Sequence, residues 1–246
     1  MRDWQQELDN RVEFVRHVID SANAKGVIYG NSGGKDCTLV SIICKKACDN
    51  TMGIIMPCAS KRNYTDDMFD ALAVAQQFGI ANITVDLTQT RQALLDRLDV
   101  ATITNNALSN IAPRLRMTTL YCVAQSMGSL VAGTGNASEM YMGYFTKWGD
   151  GAYDFNCIAD LTVTEIYQFL AFLGVPQSII VKKPSAGLFE GQTDESEMGV
   201  TYEDIDTHIF GGQVDESSLN IINRYHTSTQ HKRRMPICYG ADWKSK

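Results

Sequence analysis

Four short apolar runs, set between segments of helical periodicity, constrain this chain most. Val27-Ile28-Tyr29, Met52–Met56, Asn82–Leu87 and Ser129–Ala132 are long enough for buried strands and too short for helices. Apolar residues spaced by three and four precede them (Trp4, Leu8, Val12, Val15, Val18, Ile19) and recur over Leu39–Ala47 and Tyr64–Phe78, where Gly79 stops the pattern. A longer helix-rich stretch runs through Leu94, Leu98, Leu108, Ile111, Leu115, Leu120, Val123 and Met127, with Pro113 in a first turn. Thr162-Val163-Thr164-Glu165 has the form of a capping box ahead of Ile166, Phe169, Leu170 and Leu173, and Gly174 with Pro176 ends that helix. Strands alternating with helices predict an α/β fold, a parallel sheet covered on both faces. Such sheets bind ligands at the carboxyl ends of their strands, in the turns that lead into helices.

Composition narrows the partners. The 246 residues are 44% hydrophobic, enough for a sizeable core, and carry 22 Lys plus Arg against 28 Asp plus Glu. A net charge of −6 lacks the basic footprint of a duplex-nucleic-acid or anionic-membrane binder. No run of about 18 apolar residues occurs, and the charged start MRDWQQELDNRVEFV has no signal-peptide core. Seven cysteines form no CxxC pair, and Cys44/Cys48 have no His nearby, so neither a disulfide framework nor a structural zinc is expected. Reduced thiols in a cytoplasmic protein are the plain expectation. Without repeats, low complexity or a long linker, residues 1–246 read as a single domain.

The turn after the first run is Gly30-Asn31-Ser32-Gly33-Gly34-Lys35-Asp36-Cys37. Adjacent glycines allow close approach of backbone to ligand, and the following helix N-terminus is a ready anion site. The spacing excludes the G-x-x-x-x-G-K-[ST] loop, because Lys35 is followed by Asp36. An acid in an anion-binding turn makes sense if it holds a cation, so Asp36 is a candidate Mg²⁺ ligand. Taken alone, a Gly-Gly helix start with a capping Asp explains the segment equally well. The wording SGGxD resembles the pyrophosphate-binding loop of the N-type ATP pyrophosphatases, with Cys37 where those proteins usually carry Ser.

A second turn, Gly133-Thr134-Gly135-Asn136-Ala137-Ser138-Glu139, follows the fourth run and continues to Gly143-Tyr-Phe-Thr-Lys147-Trp-Gly-Asp150-Gly-Ala-Tyr-Asp154. Its GxGxxS wording is too weak for a dinucleotide fingerprint. The whole run GTGNxSE…GYFTKxGDGxxD resembles the ammonia-dependent NAD synthetase family, as do PSAGLFEGQTDE at 184–195 and the closing His231-Lys232-Arg233-Arg234. The likeness extends from Gly30 to Trp243.

That resemblance implies a Rossmann-like, adenine-nucleotide alpha-hydrolase-like domain with a five-stranded parallel sheet. It implies formation of NAD, AMP and pyrophosphate from deamido-NAD, ATP and ammonia through an acyl-adenylate, with Mg²⁺ as cofactor. By the same resemblance Gly30 through Cys37, Thr134 and Ser185 contact ATP, and Asp36 with Glu139 holds the metal. Arg114, Lys147, Asp154, His231 and Lys232 hold deamido-NAD, and Asp150 is the acid near the ammonia. The family is homodimeric, and the apolar helices between Leu94 and Met127 are the expected interface. Val163 departs from the family, which usually carries an ATP-contacting Lys there; the contact is lost unless Lys35, Lys182 or Lys183 substitutes. The segment Lys182–Gly199 has the polar, Gly-rich chemistry of a lid. On their own, Lys147 and Asp154 read equally as solvated surface charges, and the closing basic run as a helix end. Another ATP-pyrophosphatase-type ligase, or a non-catalytic nucleotide-binding relative, is the alternative function.

Overall fold

In the computed structural model, which describes residues 2–58, 66–100, 102–181 and 193–239, the four apolar runs become strands. These are β1 (Val27–Gly30), β2 (Thr51–Ile55), β3 (Ala81–Thr84) and β4 (Leu130–Ala132). The first six helices are α1 (Trp4–Ser21), α2 (Lys35–Ala47), α3 (Asp66–Phe78), α4 (Thr88–Leu95), α5 (Asn105–Ser109) and α6 (Ile111–Met127). After β4 come α7 (Ala137–Met142), α8 (Val163–Phe172), α9 (Gln177–Val181), α10 (Asp194–Met198), α11 (Tyr202–Ile209) and α12 (Glu216–Ser228).

All pairings are parallel, in the order β3-β2-β1-β4. Successive side chains of β1 alternate between two cores, as a pleated strand buried on both faces requires. Val27 and Tyr29 pack with Val15 of α1, Leu39 and Ile43 of α2 and Ile166 and Phe169 of α8. Ile28 packs on the other face with Ile54, Val131 and the small residues Ala112 and Ala124 of α6. A third cluster, Met142, Val163, Met198, Tyr202, Ile205 and Ile222, joins the later helices beside the sheet.

The five-stranded sheet expected from the resemblance is corrected to four strands among the described residues. Beyond β4 the chain makes one parallel bridge, Ala132 to Phe155, and then leaves. Two side chains account for this. The Asp154 carboxylate accepts the Val131 amide at 2.7 Å, taking a donor that a neighbouring strand's carbonyl would use. Asn156 then turns the chain: its Oδ1 accepts from the Ile158 amide and its Nδ2 donates to the Gly135 carbonyl.

The strand order decides where a ligand can sit. From β1 the chain crosses to β2 on one side, while β4 lies on the other, so the crevice at their carboxyl ends is the topological switch point. The two Gly-rich turns leave the sheet there, facing each other. Hydrogen bonds fix the second one: the Ala137 amide donates to the Leu161 carbonyl at 2.8 Å, and Asp206 accepts from Ser138 Oγ at 2.5 Å and from the Thr164 amide at 2.8 Å.

Arg11 of α1 clamps the segment before α8. It is 8% exposed and donates to the Cys157 carbonyl at 2.6 Å, to both oxygens of Asp160 at 2.6 and 2.8 Å, and to Glu7 at 2.7 Å. Asp160 is held below the usual carboxylate range: burial alone would raise it, and the Arg11 guanidinium outweighs that. Arg11→Met, which keeps the apolar stem, should cost roughly 2–3 kcal/mol in urea unfolding, less than a wholly buried pair because Asp160 is half-exposed. A loss under about 0.5 kcal/mol would show the clamp to be dispensable.

Candidate functional site

The first turn folds as its glycines require. Gly33 has φ +71°, and a Cβ there would lie 2.1 Å from the Asp67 carbonyl oxygen, so α3 packs directly against bare backbone. Asn31 closes the turn from within: its amide donates to the Ile54 carbonyl, its Oδ1 accepts from the Gly33 amide, and its Nδ2 donates to Asn82. Gly34 is the N-cap of α2 and has no side chain to satisfy the first-turn amides, which leaves them for a ligand. Cys37 is buried, donates to the Gly34 carbonyl at 3.2 Å and meets Ser32 Oγ at 3.4 Å. Burial pushes its thiol pKa up, which favours the neutral thiol that braces the loop.

The second turn brings Glu139 to Asp36 through a single side chain. Asn136, fully buried, is the N-cap of α7: its Oδ1 accepts from the Glu139 amide at 2.9 Å while Glu139 Oε2 accepts from the Asn136 amide at 3.1 Å. Its Nδ2 donates 3.0 Å to Asp36 Oδ1. Asp would cap the helix but has nothing to donate to Asp36, and Ser has a single short hydroxyl for both tasks; the carboxamide accepts from the helix through Oδ1 and donates to Asp36 through a separate atom, Nδ2. The two carboxylates are close enough to oppose each other's charge. Burial first, then Asp36, raise the Glu139 pKa well above normal, and Lys35 offsets only part of this. Tyr202 feels the same crowding: after burial, Glu139, Asp194 and Asp36 push its phenol upward. Two hard carboxylates facing a crevice, each with lone pairs to spare, suit a hard divalent cation that takes further oxygens from phosphate.

These groups line a cavity of about 780 Å³. Gly30, Asn31, Ser32, Gly34, Lys35, Asp36 and Cys37 form one wall and Thr134 and Glu139 another, with Asp150 and Lys232 farther along. Asp150 faces open cavity space yet is crowded by protein atoms, and this desolvation raises its pKa, offset in part by the Thr146 amide at 2.9 Å and by Lys232. Lys232 lies half-buried, donating to the carbonyls of Gly143 at 2.8 Å and Phe145 at 2.7 Å, and burial lowers its pKa.

Other named residues lie elsewhere. Arg114 is exposed and donates to the Lys147 carbonyl, while Lys147 Nζ donates 2.8 Å to the His231 carbonyl; the three make a separate cluster that does not line the cavity. Asp154 is occupied at the sheet edge by the Val131 amide and Tyr121. Val163 is buried at the first turn of α8, outside the cavity lining. Ser185, Lys182 and Lys183 lie outside the described residues, as does most of the expected lid; its end is α10. Sequence reasoning missed Asn136, Asp194 and Arg116. Arg116 lines the cavity two residues beyond Arg114 and donates to the Met56 carbonyl; on a helix that step moves a side chain to another face. Asp194 lines the cavity too and accepts from Tyr202 Oη at 3.0 Å.

Comparison with known proteins gives a consistent picture. A family model described as NAD synthase matches residues 7–236. The NH(3)-dependent NAD(+) synthetase of Carboxydothermus hydrogenoformans is 45% identical over 95% of this chain and 96% of its own length. That of Archaeoglobus fulgidus is 37% identical over 95% and 96%. Among solved structures, an NMN synthetase from Francisella tularensis superposes with a TM-score of 0.92 at 34% identity, covering 97% of this chain and 99% of that one. An NH3-dependent NAD synthetase from Campylobacter jejuni superposes at 0.80 with 27% identity, covering 98% and 100%.

Glu139 supplies a sign-specific stability test. A carboxyl whose pKa is raised by folding loses stability as pH climbs through its folded value, because the unfolded chain ionises first. Glu139→Gln keeps an acceptor for the N-cap. Without divalent metal it should melt roughly 2–4 °C above the parent near pH 8 and converge with it near pH 4. Added divalent metal should raise the melting temperature of the parent more. A variant less stable than the parent at both pH values would contradict this electrostatic picture.

Proposed function

This chain belongs to the NAD synthase family, and from that premise we propose that it amidates deamido-NAD with ammonia, using ATP and releasing AMP and pyrophosphate. One observation carries the reading: two Gly-rich turns meet at the sheet's switch point, one offering uncapped helix amides and the other closing a carboxylate pair, around a single cavity. Anion-binding amides beside a cation-binding pair are what a polyphosphate needs.

The nicotinate carboxylate attacks the α-phosphate and pyrophosphate leaves, giving an acyl-adenylate. Both reactants are anions, so positioning and charge compensation matter more than covalent help. The amides at Gly34–Asp36 hold the phosphates, and Asp36 with Glu139 would hold Mg²⁺, which supplies charge neutralisation when bound. Ammonia then attacks the activated carbonyl and AMP departs. Asp150, open to the cavity and with its pKa raised by the crowding of protein atoms, suits binding ammonium and accepting its proton, and Lys232 limits how far that pKa rises. Ser185 would add an ATP contact, and Arg114, Lys147, Asp154, His231 and Lys232 contacts to the dinucleotide. Of these, Asp154 is the least free to serve, being bonded within the sheet edge.

The assembly we propose is a homodimer through α4 and α6. Supporting it, α4 has no buried residue, α6 buries only Ala112 and Ala124, and Leu94, Leu98 and Met127 are exposed. A second reading, in which the acid precursor of NMN replaces the dinucleotide, is favoured by the likeness to the Francisella structure.

Incubation with Mg-ATP, ammonium chloride and deamido-NAD should yield NAD and AMP in equal amounts. The acid precursor of NMN in a parallel tube decides between the readings, and AMP formation with neither acid would sink both. Asp150→Asn should lower turnover about 10²-fold or more, chiefly at low ammonium; near-normal turnover would remove it as the base. Asn136→Ser should change stability by under about 1 kcal/mol, since the cap survives, and cut turnover at least about tenfold through the lost Asp36 bond.

A further inference from the structure

Lys35 is an unusual residue to find at the first turn of a helix that binds anions through its backbone. It is 6% exposed, so its stem is wholly enclosed. The ammonium lies 2.7 Å from Asp36 Oδ2 and 5.7 Å above the Tyr202 ring, on the cavity wall. Asp36 thus uses Oδ2 on Lys35 and Oδ1 on Asn136. Glu139 lines the same cavity as a second carboxylate. The ion pair with Asp36 compensates a lysine charge that its buried stem keeps out of bulk water.

We propose that Lys35 is a tethered counter-cation of the Asp36–Glu139 pair, which weakens metal binding in the free protein and moves its charge onto the polyphosphate when nucleotide enters. The proposal rests on the ATP-dependent reading above and deepens it. Two cations compete for one pair of carboxylates: the mobile divalent ion and the ammonium already against Asp36. Metal alone must work against a like charge in a poorly solvated site. Nucleotide brings enough negative charge for both, so each cation then assists the other. Metal and ATP become linked ligands, each raising the other's affinity through Lys35. The backbone amides still recognise phosphate by themselves, and Lys35 adds a charge-assisted hydrogen bond to them.

The test uses the full-length protein with two separate titrations: Mn²⁺ without nucleotide, and ATP in excess chelator without metal. Lys35→Met keeps the stem and removes the charge. It should bind Mn²⁺ several-fold more tightly than the parent and metal-free ATP about tenfold more weakly, the loss of one charged hydrogen bond. Lys35→Arg should stay near the parent in both. Shifts of opposite sign separate this role from a structural one, because a merely disturbed loop would weaken both ligands. Weakening of both, or no change in either, overturns the proposal. Parent protein assayed alongside for NAD and AMP tells failure of this inference from failure of the synthetase reading.

Discussion

Two carboxylates that repel one another are held at one edge of a crevice by a neutral amide. Asn136 spends its oxygen on the α7 N-terminus and its nitrogen on Asp36, while Glu139 returns a bond to the Asn136 amide. This contact joins the turn after β1 to the turn after β4, residues 100 positions apart in sequence. Burial and then this repulsion push the Glu139 pKa upward, and folding tolerates it because the sheet, the Gly33–α3 contact and the Asp206 bonds fix both turns from behind. Strain of this electrostatic kind is relieved by a cation, which ties stability to ligand binding.

From that constraint the layout of the site follows in layers. Nearest the pair are the open amides of α2 and the Lys35 ammonium; farther along the cavity Asp150 and Lys232 form a second charged couple. The couple differs from the pair in sign and use. Lys232 satisfies two carbonyls at the exit from α7 and offsets part of the rise that crowding by protein atoms gives the Asp150 pKa. The open amides and carboxylate pair at one end and the Asp150–Lys232 couple at the other line one cavity, the arrangement on which the proposed two-step reaction rests.

Much of this was legible in the chain because it is local. Strand-length apolar runs, the capping box at Thr162 and the Gly-Gly turn each announce themselves within a few residues, and each recurs in the structure. Asp36 was singled out for the same reason, whereas Glu139 was named only through the family resemblance. What escaped was tertiary. Nothing around Asn136 signals that its amide reaches Asp36, and nothing near Asp194 or Arg116 marks them as cavity residues. The fifth strand failed for a physical reason that sequence pattern hides: Asp154 takes the edge amide with its side chain and the chain turns away at Asn156. Arg114 and Lys147, named through the resemblance, lie outside the cavity lining, and Arg116, two residues along the same helix, lines it.

The central claim is that Asp36 and Glu139 share one ion beside a polyphosphate. A crystal structure with Mn²⁺ and a non-hydrolysable ATP analogue, with anomalous diffraction to locate the metal, tests it most directly. The account predicts an anomalous peak about 2.1 Å from an oxygen of each carboxylate and from a phosphate oxygen. A peak on one carboxylate only, or a polyphosphate bound away from the Gly30–Cys37 turn, would contradict it.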